Sequence, residues 1–583
     1  MGLDDWDTRY CVEVEEDRLL AAIQKRLGGQ VRKLYLPPIK LDSMDRDPAA
    51  PAIGVPVVPF PRWMRCSLCN TLATVESGVF KLIQDAFRPD KTEYVHQGCL
   101  KGQGGRAPSV LPVRFLLACR EGHLTDFPWL NFVHKGNVPC RPATLSLREF
   151  GSSGDASDII VKCQSCGVDR RMADAFDADT PFSCPGHHPH LRLIEHGCQE
   201  SAKTILLGAS NGWFPTPLSA LSIPRATDTL GKLVEEQWAE LKDTEDLDEV
   251  RLLRKKLQRF QSLIPLFSEF EDENIWAAIQ AKRAGGQQHA GAPPEDLKLP
   301  EWMTFSNPDA ATESRDFKLK RVPPPAGFAA FFEDTVLVER IREVRALLGF
   351  TRIESNADFA EATVLEDGRL TKLCRESPTW LPASQVRGEG IFLRVREEML
   401  LAWQAKPEVK QLQREFFEAH SAWRNLRKLA PAQEGFPGIR LVLLHSLAHA
   451  LMRQIVLDCG YTAASVRERL YSRQPDENSG PMAGILLYTA APDSEGTLGG
   501  LVELGDPLTL GRHLQQALES MRLCASDPLC SEHRPDTLGR GIQGACCHAC
   551  QFAPETSCER GNRYLDRSVL VNTFSARNSG FFD

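Results

Sequence analysis

Residues 524–562 read CASDPLCSEHRPDTLGRGIQGACCHACQFAPETSCERGN. Cys524, Cys530, Cys546, Cys547, Cys550 and Cys558 crowd into this segment. Apolar packing does not explain such a density of thiols, whereas a four-thiolate metal centre does. Four of Cys524, Cys530, Cys547, Cys550 and Cys558 would complete an all-cysteine site. One of the adjacent pair Cys546 and Cys547 is then a bystander, because neighbouring side chains diverge. All-thiolate tetrahedral sites are closed and leave no position for water, so the expected ion is structural Zn²⁺ with no catalytic role. The spacing matches none of the common iron–sulfur patterns.

Outward from this cluster, residues 436–583 read as one α/β module. Residues 439–459 form an apolar helix that Gly460 ends; 466–471 fit a short helix, 483–490 a buried strand and 508–524 another helix. His445 and His449 stand at i and i+4 and share a helix face. A zinc protease would carry HExxH, but position 446 is serine, so the general base is missing. The histidines therefore read as internal hydrogen-bonding groups. The alternatives to a non-catalytic role in engaging DNA are a metal-dependent nuclease or hydrolase that combines these histidines with Asp493 and Glu495, and a purely structural scaffold without DNA contact. Loop 493–505, DSEGTLGGLVELG, could present backbone N–H groups to a phosphate. It is not a P-loop, and no Walker or helicase motif occurs elsewhere, so no ATPase chemistry is assigned.

Residues 62–225 are rich in cysteine and histidine and follow a helix at 17–27 and a proline-rich connector within 42–61. Cys66-x2-Cys69 and His96-x2-Cys99 read as two halves of one tetrahedral site. Cys163-x2-Cys166, with Gly167 to turn the chain, pairs next with Cys184 and with either Cys198 or His187; Cys198 keeps the site all-thiolate. Cys119 reads as a core residue at the end of a strand over 113–118. A further half-site, Cys119-x3-His123 with His134 or Cys140, is the weaker reading. His123 and Asp126 could form a polar pair at a loop.

Residues 226–435 read as mainly helical, with helices over 230–270, 334–348 and 395–429. Two basic runs stand out: Arg254, Lys255, Lys256 and Arg259, then Lys318, Lys320 and Arg321. Each is either a solvated face or a surface that tracks phosphates.

The chain has 583 residues, 42% hydrophobic and 25% charged, with a formal charge of −8. It is long enough to bury several cores, and its charge excludes a surface coated in positive residues. No export signal and no run of about 18 apolar residues is found. A cytoplasmic, reducing setting is therefore expected, where the 18 cysteines act as metal ligands or free thiols. The fold class is α+β multidomain, divided as 1–61, 62–225, 226–435 and 436–583.

Several motifs together resemble the DrmB family of the bacterial DISARM anti-phage system. They are FPRWMRCSLC (60–69), RFLLACREGHLTDFPW (114–129), LGASNGWFPTPLSALSIP (207–224), HSLAHALMRQI (445–455), GILLYTAAPDSEGTLGGLVELG (484–505) and the cysteine segment itself. The resemblance covers 55–225 and 436–583 well and the middle loosely. A related cysteine-clustered domain ends some helicases of the MrfA type. The resemblance implies that Cys524, Cys530, Cys547 and Cys550 hold zinc and that Cys558 is typical of the DrmB-like form. Cys546, where alanine is more usual, and His96 are departures from the pattern. It also implies a non-catalytic accessory subunit, not a membrane protein, that binds a DrmA-like helicase/ATPase and meets DNA through that complex.

Overall fold

A computed structural model describes residues 1–39, 53–84, 88–99, 107–140, 142–151, 154–177, 181–224, 234, 237–242, 244, 246–257, 271–283, 296–355, 369–460, 462–475, 480–489, 500–539 and 541–583. The chain folds into two compact units with interleaved sequence. The first takes Met1–Glu13, Arg26–Leu218 and Ala346–Ala383; the second takes Val14–Lys25, Ser219–Arg345 and Ser384–Asp583. The mixed α and β content agrees with the expected class.

The first unit is built mainly from short antiparallel strands. A six-stranded sheet runs in the order Asp169–Arg171, Ile159–Cys163, Leu145–Glu149, Thr71–Thr74, Trp63–Cys66, Val110–Pro112. A four-stranded sheet runs Phe182–Ser183, Ser201–Leu206, Phe115–Ala118, Leu124–Asp126. Strand Ile159–Cys163 alternates buried and half-buried residues, as one core-facing side requires. Its inward Val161 and Cys163 join Leu72, Phe115, Phe127, Trp129, Phe132 and Leu147 in one core. Phe127 packs tilted on Trp129 at 4.8 Å between ring centroids.

The second unit places a long helix, Gly438–Cys459, against strands Val466–Arg473 and Met482–Thr489 and helix Pro507–Arg522. By length and composition this helix could cross a membrane, yet 72% of its apolar window is buried inside the protein. Its first turn holds Arg440, fully buried, which donates to Glu397 Oε2 at 2.8 Å and to the Met482 carbonyl at 3.1 Å. Gly460, at φ 70°, ends it in the left-handed turn that glycine permits.

Two expected helices are strands. Residues 334–348 lie within strand Phe332–Thr351, whose β-branched Val336, Val338, Ile341 and Val344 are buried. Its charged residues between 339 and 345 imitate a solvated helix face. Residues 466–471 belong to strand Val466–Arg473, paired antiparallel with Met482–Thr489 along its full length. Here the misleading feature is buried charge. Arg469 donates to Glu301 at 2.6 and 2.7 Å, and Tyr471 donates to the same carboxylate at 3.0 Å. Helices do form at Glu397–Gln404 and Pro407–Leu426. Of 230–270, helices Trp238–Leu241 and Leu247–Leu257 are described; 258–270 lies outside the described residues.

Candidate metal centres

Antiparallel strand pairing decides which cysteines meet. Strand Trp63–Cys66 turns back into Thr71–Thr74, with Asn70 at φ 61° closing the turn after Cys69. That turn points Cys66 and Cys69 towards His96 and Cys99, which follow strand Glu93–Val95. Cys66 Sγ lies 3.9 Å from Cys99 Sγ, and Cys69 Sγ lies 3.3 Å from His96 Nδ1. Phe80 packs edge-on against the His96 ring at 5.5 Å and fixes its plane.

The next two groups are nested in sequence. Strand Phe115–Ala118 pairs with Ser201–Leu206, Ala118 opposite Lys203. The residues just after the first strand therefore meet those just before the second. Cys119 and His123 join Cys184 and Cys198, with Cys119 Sγ 3.3 Å from His123 Nδ1. Inside this pair, Leu145–Glu149 pairs with Ile159–Cys163, Leu145 opposite Cys163. His134 and Cys140 thereby join Cys163 and Cys166. His134 Nδ1 bonds the Leu130 carbonyl at 2.8 Å, which leaves Nε2 facing Cys166 Sγ at 3.5 Å.

This corrects the expected grouping. Cys163 and Cys166 do not share a centre with Cys184 and Cys198; each pair takes its partners from the stretch read as core. Cys119 is buried, as its strand-end position suggested, but its thiol is part of a cluster. His187 stays out and bonds Thr125 Oγ1 at 3.1 Å. Asp126 does not pair with His123; its Oδ1 accepts from the Arg62 and Trp63 amides at 2.8 and 3.2 Å. The signal that could have found the missed ligands is the short spacing of Cys119 to His123 and of His134 to Cys140, each read as half a site.

In the second unit Cys524, Cys530, Cys547 and Cys550 come together. Cys524 follows helix Pro507–Arg522, and Cys530 sits in a 3₁₀ turn at Pro528–Glu532. The Sγ separations are 3.6 Å for Cys524–Cys547 and 3.7 Å for both Cys530–Cys550 and Cys547–Cys550. Cys546 is buried beside this group but is not part of it, and burial pushes its thiol well up. Cys558, the fifth candidate thiol, lies outside this group and packs with His445, His449 and Glu468.

These distances test the fit to zinc. With Zn–S near 2.3 Å and Zn–N near 2.0 Å, tetrahedral ligands lie about 3.8 Å apart for two sulfurs and about 3.5 Å for sulfur and nitrogen. The observed separations fall at these values. No cysteine among those described is in a disulfide. Where thiolate charge needs support, backbone amides provide it. Burial opposes ionisation of Cys163, but N–H groups of Cys166 and Ser165 draw its thiol down to about 6. Outer partners orient the imidazoles as well: His123 Nε2 meets Glu195 Oε2 at 3.3 Å.

The candidate nucleic-acid residues are less concentrated. Lys318 pairs with Glu339 at 2.8 Å, and Arg321 pairs with Asp309 and Asp334 at 3.0 and 2.7 Å. Lys320 is exposed. Arg259 lies outside the described residues, as do the side chains of Arg254, Lys255 and Lys256 on helix Leu247–Leu257. Asp493, Glu495 and the first part of the glycine-rich loop also lie outside them. In the short helix Gly500–Glu503 that closes the loop, the Leu501 amide donates to buried Glu389 at 2.7 Å.

Comparison with known proteins places this architecture. The chain is 30% identical over 555 residues to the DISARM protein DrmB of Bacillus paralicheniformis (strain ATCC 9945a / NCIMB 11709 / CD-2), covering 93% of this chain and 94% of that one. The chain belongs to the DrmB family. Residues 1–214 match a domain of unknown function, DUF8724, and residues 447–551 match the MrfA Zn-binding domain. The latter match brackets Cys524, Cys530, Cys547 and Cys550. A solved structure, the DUF1998 helicase MrfA bound to DNA, is similar at 14% identity over 40% of this chain and 24% of that chain, with a TM-score of 0.17. As a DrmB-family member the chain is a component of an antiviral defence system that carries structural zinc. When bound, the ion would supply a cross-link between segments distant in sequence.

Proposed function

We propose that this protein is a non-catalytic, cytoplasmic subunit that docks on a DrmA-like helicase/ATPase and helps it hold DNA during phage defence. The observation that carries this reading is its full-length similarity to a DISARM protein, in a chain whose sequence lacks a nucleotide-hydrolysis motif. The proposed ligand sets support it. Each thiolate-rich tetrad uses its four groups on one ion and leaves no position for substrate or water. The hydrolase alternative fares worse, because His445 and His449 are 0% and 1% exposed and face Glu468 and Cys558 rather than solvent.

The basic run at 254–259 is the proposed phosphate contact. In the complex with the helicase-like partner, alanine at Arg254, Lys255, Lys256 and Arg259 should weaken DNA binding. It should also flatten the slope of log K against log salt by up to about 3.6. Co-purification of the two proteins, with zinc measured on the same sample, tests the rest. Failure to form a complex removes the accessory role, and an unchanged salt slope removes the phosphate contact.

A further inference from the structure

One buried cluster lies apart from the cysteine tetrads. His445 and His449 project from helix Gly438–Cys459, Glu468 from strand Val466–Arg473, and Cys558 from the segment after the Cys547 turn. His445 Nε2 is 3.1 Å from both Cys558 Sγ and Glu468 Oε1, and His449 Nε2 is 3.6 Å from Glu468 Oε2. The two histidines and the Glu468 side chain are buried, and Cys558 is 9% exposed.

We infer that these four side chains form a second metal site in this unit, one that holds a zinc-like divalent cation with two imidazoles, one carboxylate and one thiolate. Three observations lead there. First, His449 Nδ1 lies 2.7 Å from the Gln551 carbonyl oxygen, which can only accept, so Nδ1 carries the proton. In the neutral ring, Nε2 is then a lone pair aimed at a carboxylate. Neither His449 Nε2 nor Glu468 Oε2 has a hydrogen-bond partner. Two facing acceptors in a dry core need a positive charge between them, a proton on Nε2 or a metal ion, and the ligand contacts and charge balance that follow favour the metal. Second, three of the four side chains have the outer contacts of held ligands, while His445 Nδ1 has no partner. Cys558 Sγ receives the Asn562 and Arg560 amides at 3.2 and 3.4 Å, and Glu468 Oε1 receives the Glu559 amide at 3.1 Å.

Third, the charges cancel. A dication with one carboxylate, one thiolate and two neutral imidazoles has no net charge, whereas four thiolates leave −2 and three thiolates with one histidine leave −1. Burial without solvent favours the neutral arrangement. The Cys558–Glu468 set thus suits the dry core beneath the helix. Gln551 joins the two centres of this unit, because its carbonyl fixes His449 while its neighbour Cys550 belongs to the four-cysteine group.

The test is zinc per chain in the full-length protein after dialysis against a chelator of moderate affinity. Cys558→Ala, His449→Gln and the double variant should each lose one equivalent relative to the unaltered chain, the double no more than either single. A folded His449→Gln with unchanged zinc overturns the site. So does a double variant that loses two equivalents, which would assign Cys558 elsewhere. Should the variants not fold, crystals of the unaltered chain decide. Anomalous difference density at the zinc edge among the four ligand atoms supports the site, and its absence there overturns it.

Discussion

The four-cysteine group near the C-terminus and three groups among the described residues of the first unit use the same chemistry but differ in how the chain delivers it. In the C-terminal group, four ligands fall within 524–550, and the chain wraps locally around one point. In the first unit each centre has three thiolates and one histidine, drawn from two separated half-sites. Two of these centres are nested: 119/123 closes on 184/198 around 134/140 closing on 163/166. Spacing marks the x2 pairs in both regions. Only strand register says which halves belong together.

The sharpest way to break this comparison is to count zinc in variants of the nested pair. Cys163→Ser and Cys184→Ser should each lose one equivalent, and together two, because they serve different ions. Cys163→Ser with Cys140→Ser should lose one. If Cys163→Ser with Cys184→Ser loses only one, adjacency in sequence has won and the register argument fails. The effect on stability should be large, since structural zinc contributes roughly 10–16 kcal/mol in small zinc-dependent folds. Mass measurement of the intact protein under non-denaturing conditions gives the count directly.

The same contrast shows how much was legible in the sequence. Cys66, Cys69, His96 and Cys99 could be grouped because each half-site is a complete x2 pair and no other half-site intervenes. Cys119, His123, His134 and Cys140 could not, because x3 and x5 spacings carry a weaker signal and a buried strand-end cysteine looks like core. Helix Asp17–Leu27 follows apolar periodicity, and the long helix and strand Met482–Thr489 are continuous apolar runs, so all three are readable. Val466–Arg473 was not, because Glu468 and Arg469 point inward to partners far along the chain. A charge reads as exposure until its counter-charge is known. The surplus thiol Cys558 could not be placed from the sequence for a related reason: its neighbours His445, His449 and Glu468 lie about a hundred residues upstream, on a helix and a strand.

A smaller effect sharpens the comparison from outside the ligand set. Glu195, about half exposed, bonds both His123 and His188, at 3.3 and 3.1 Å. Gly186 lets the chain pass close enough for this, since a Cβ there would lie 1.7 Å from the Glu195 carbonyl oxygen. Glu195→Gln keeps the shape but removes the negative charge behind the imidazole. Zinc affinity at the Cys119 centre should fall about 10- to 100-fold, read by competition with a chelator, while the other centres keep theirs. Equal affinity in variant and parent would mean that Glu195 serves only to position the loop.

The smallest effect concerns a thiol that is next to a centre but outside it. Cys546 is 4% exposed and packs with Cys524, Cys530, Cys550 and Leu565. Its neighbour Cys547 turns the other way into the tetrad, as adjacent side chains must. Replacing Cys546 with serine leaves four thiolates and should leave the zinc count unchanged. It introduces a hydroxyl into an apolar site, which costs about 1–3 kcal/mol when no partner is offered. Cys547→Ser differs by one position and should release the ion. Cys546 is buried and Cys547 half-buried, but the two share their neighbours in sequence, so density of cysteine cannot separate them; side-chain direction can. A lost zinc equivalent in Cys546→Ser would show that the chain enters the centre in the opposite sense and that Cys547 is the bystander.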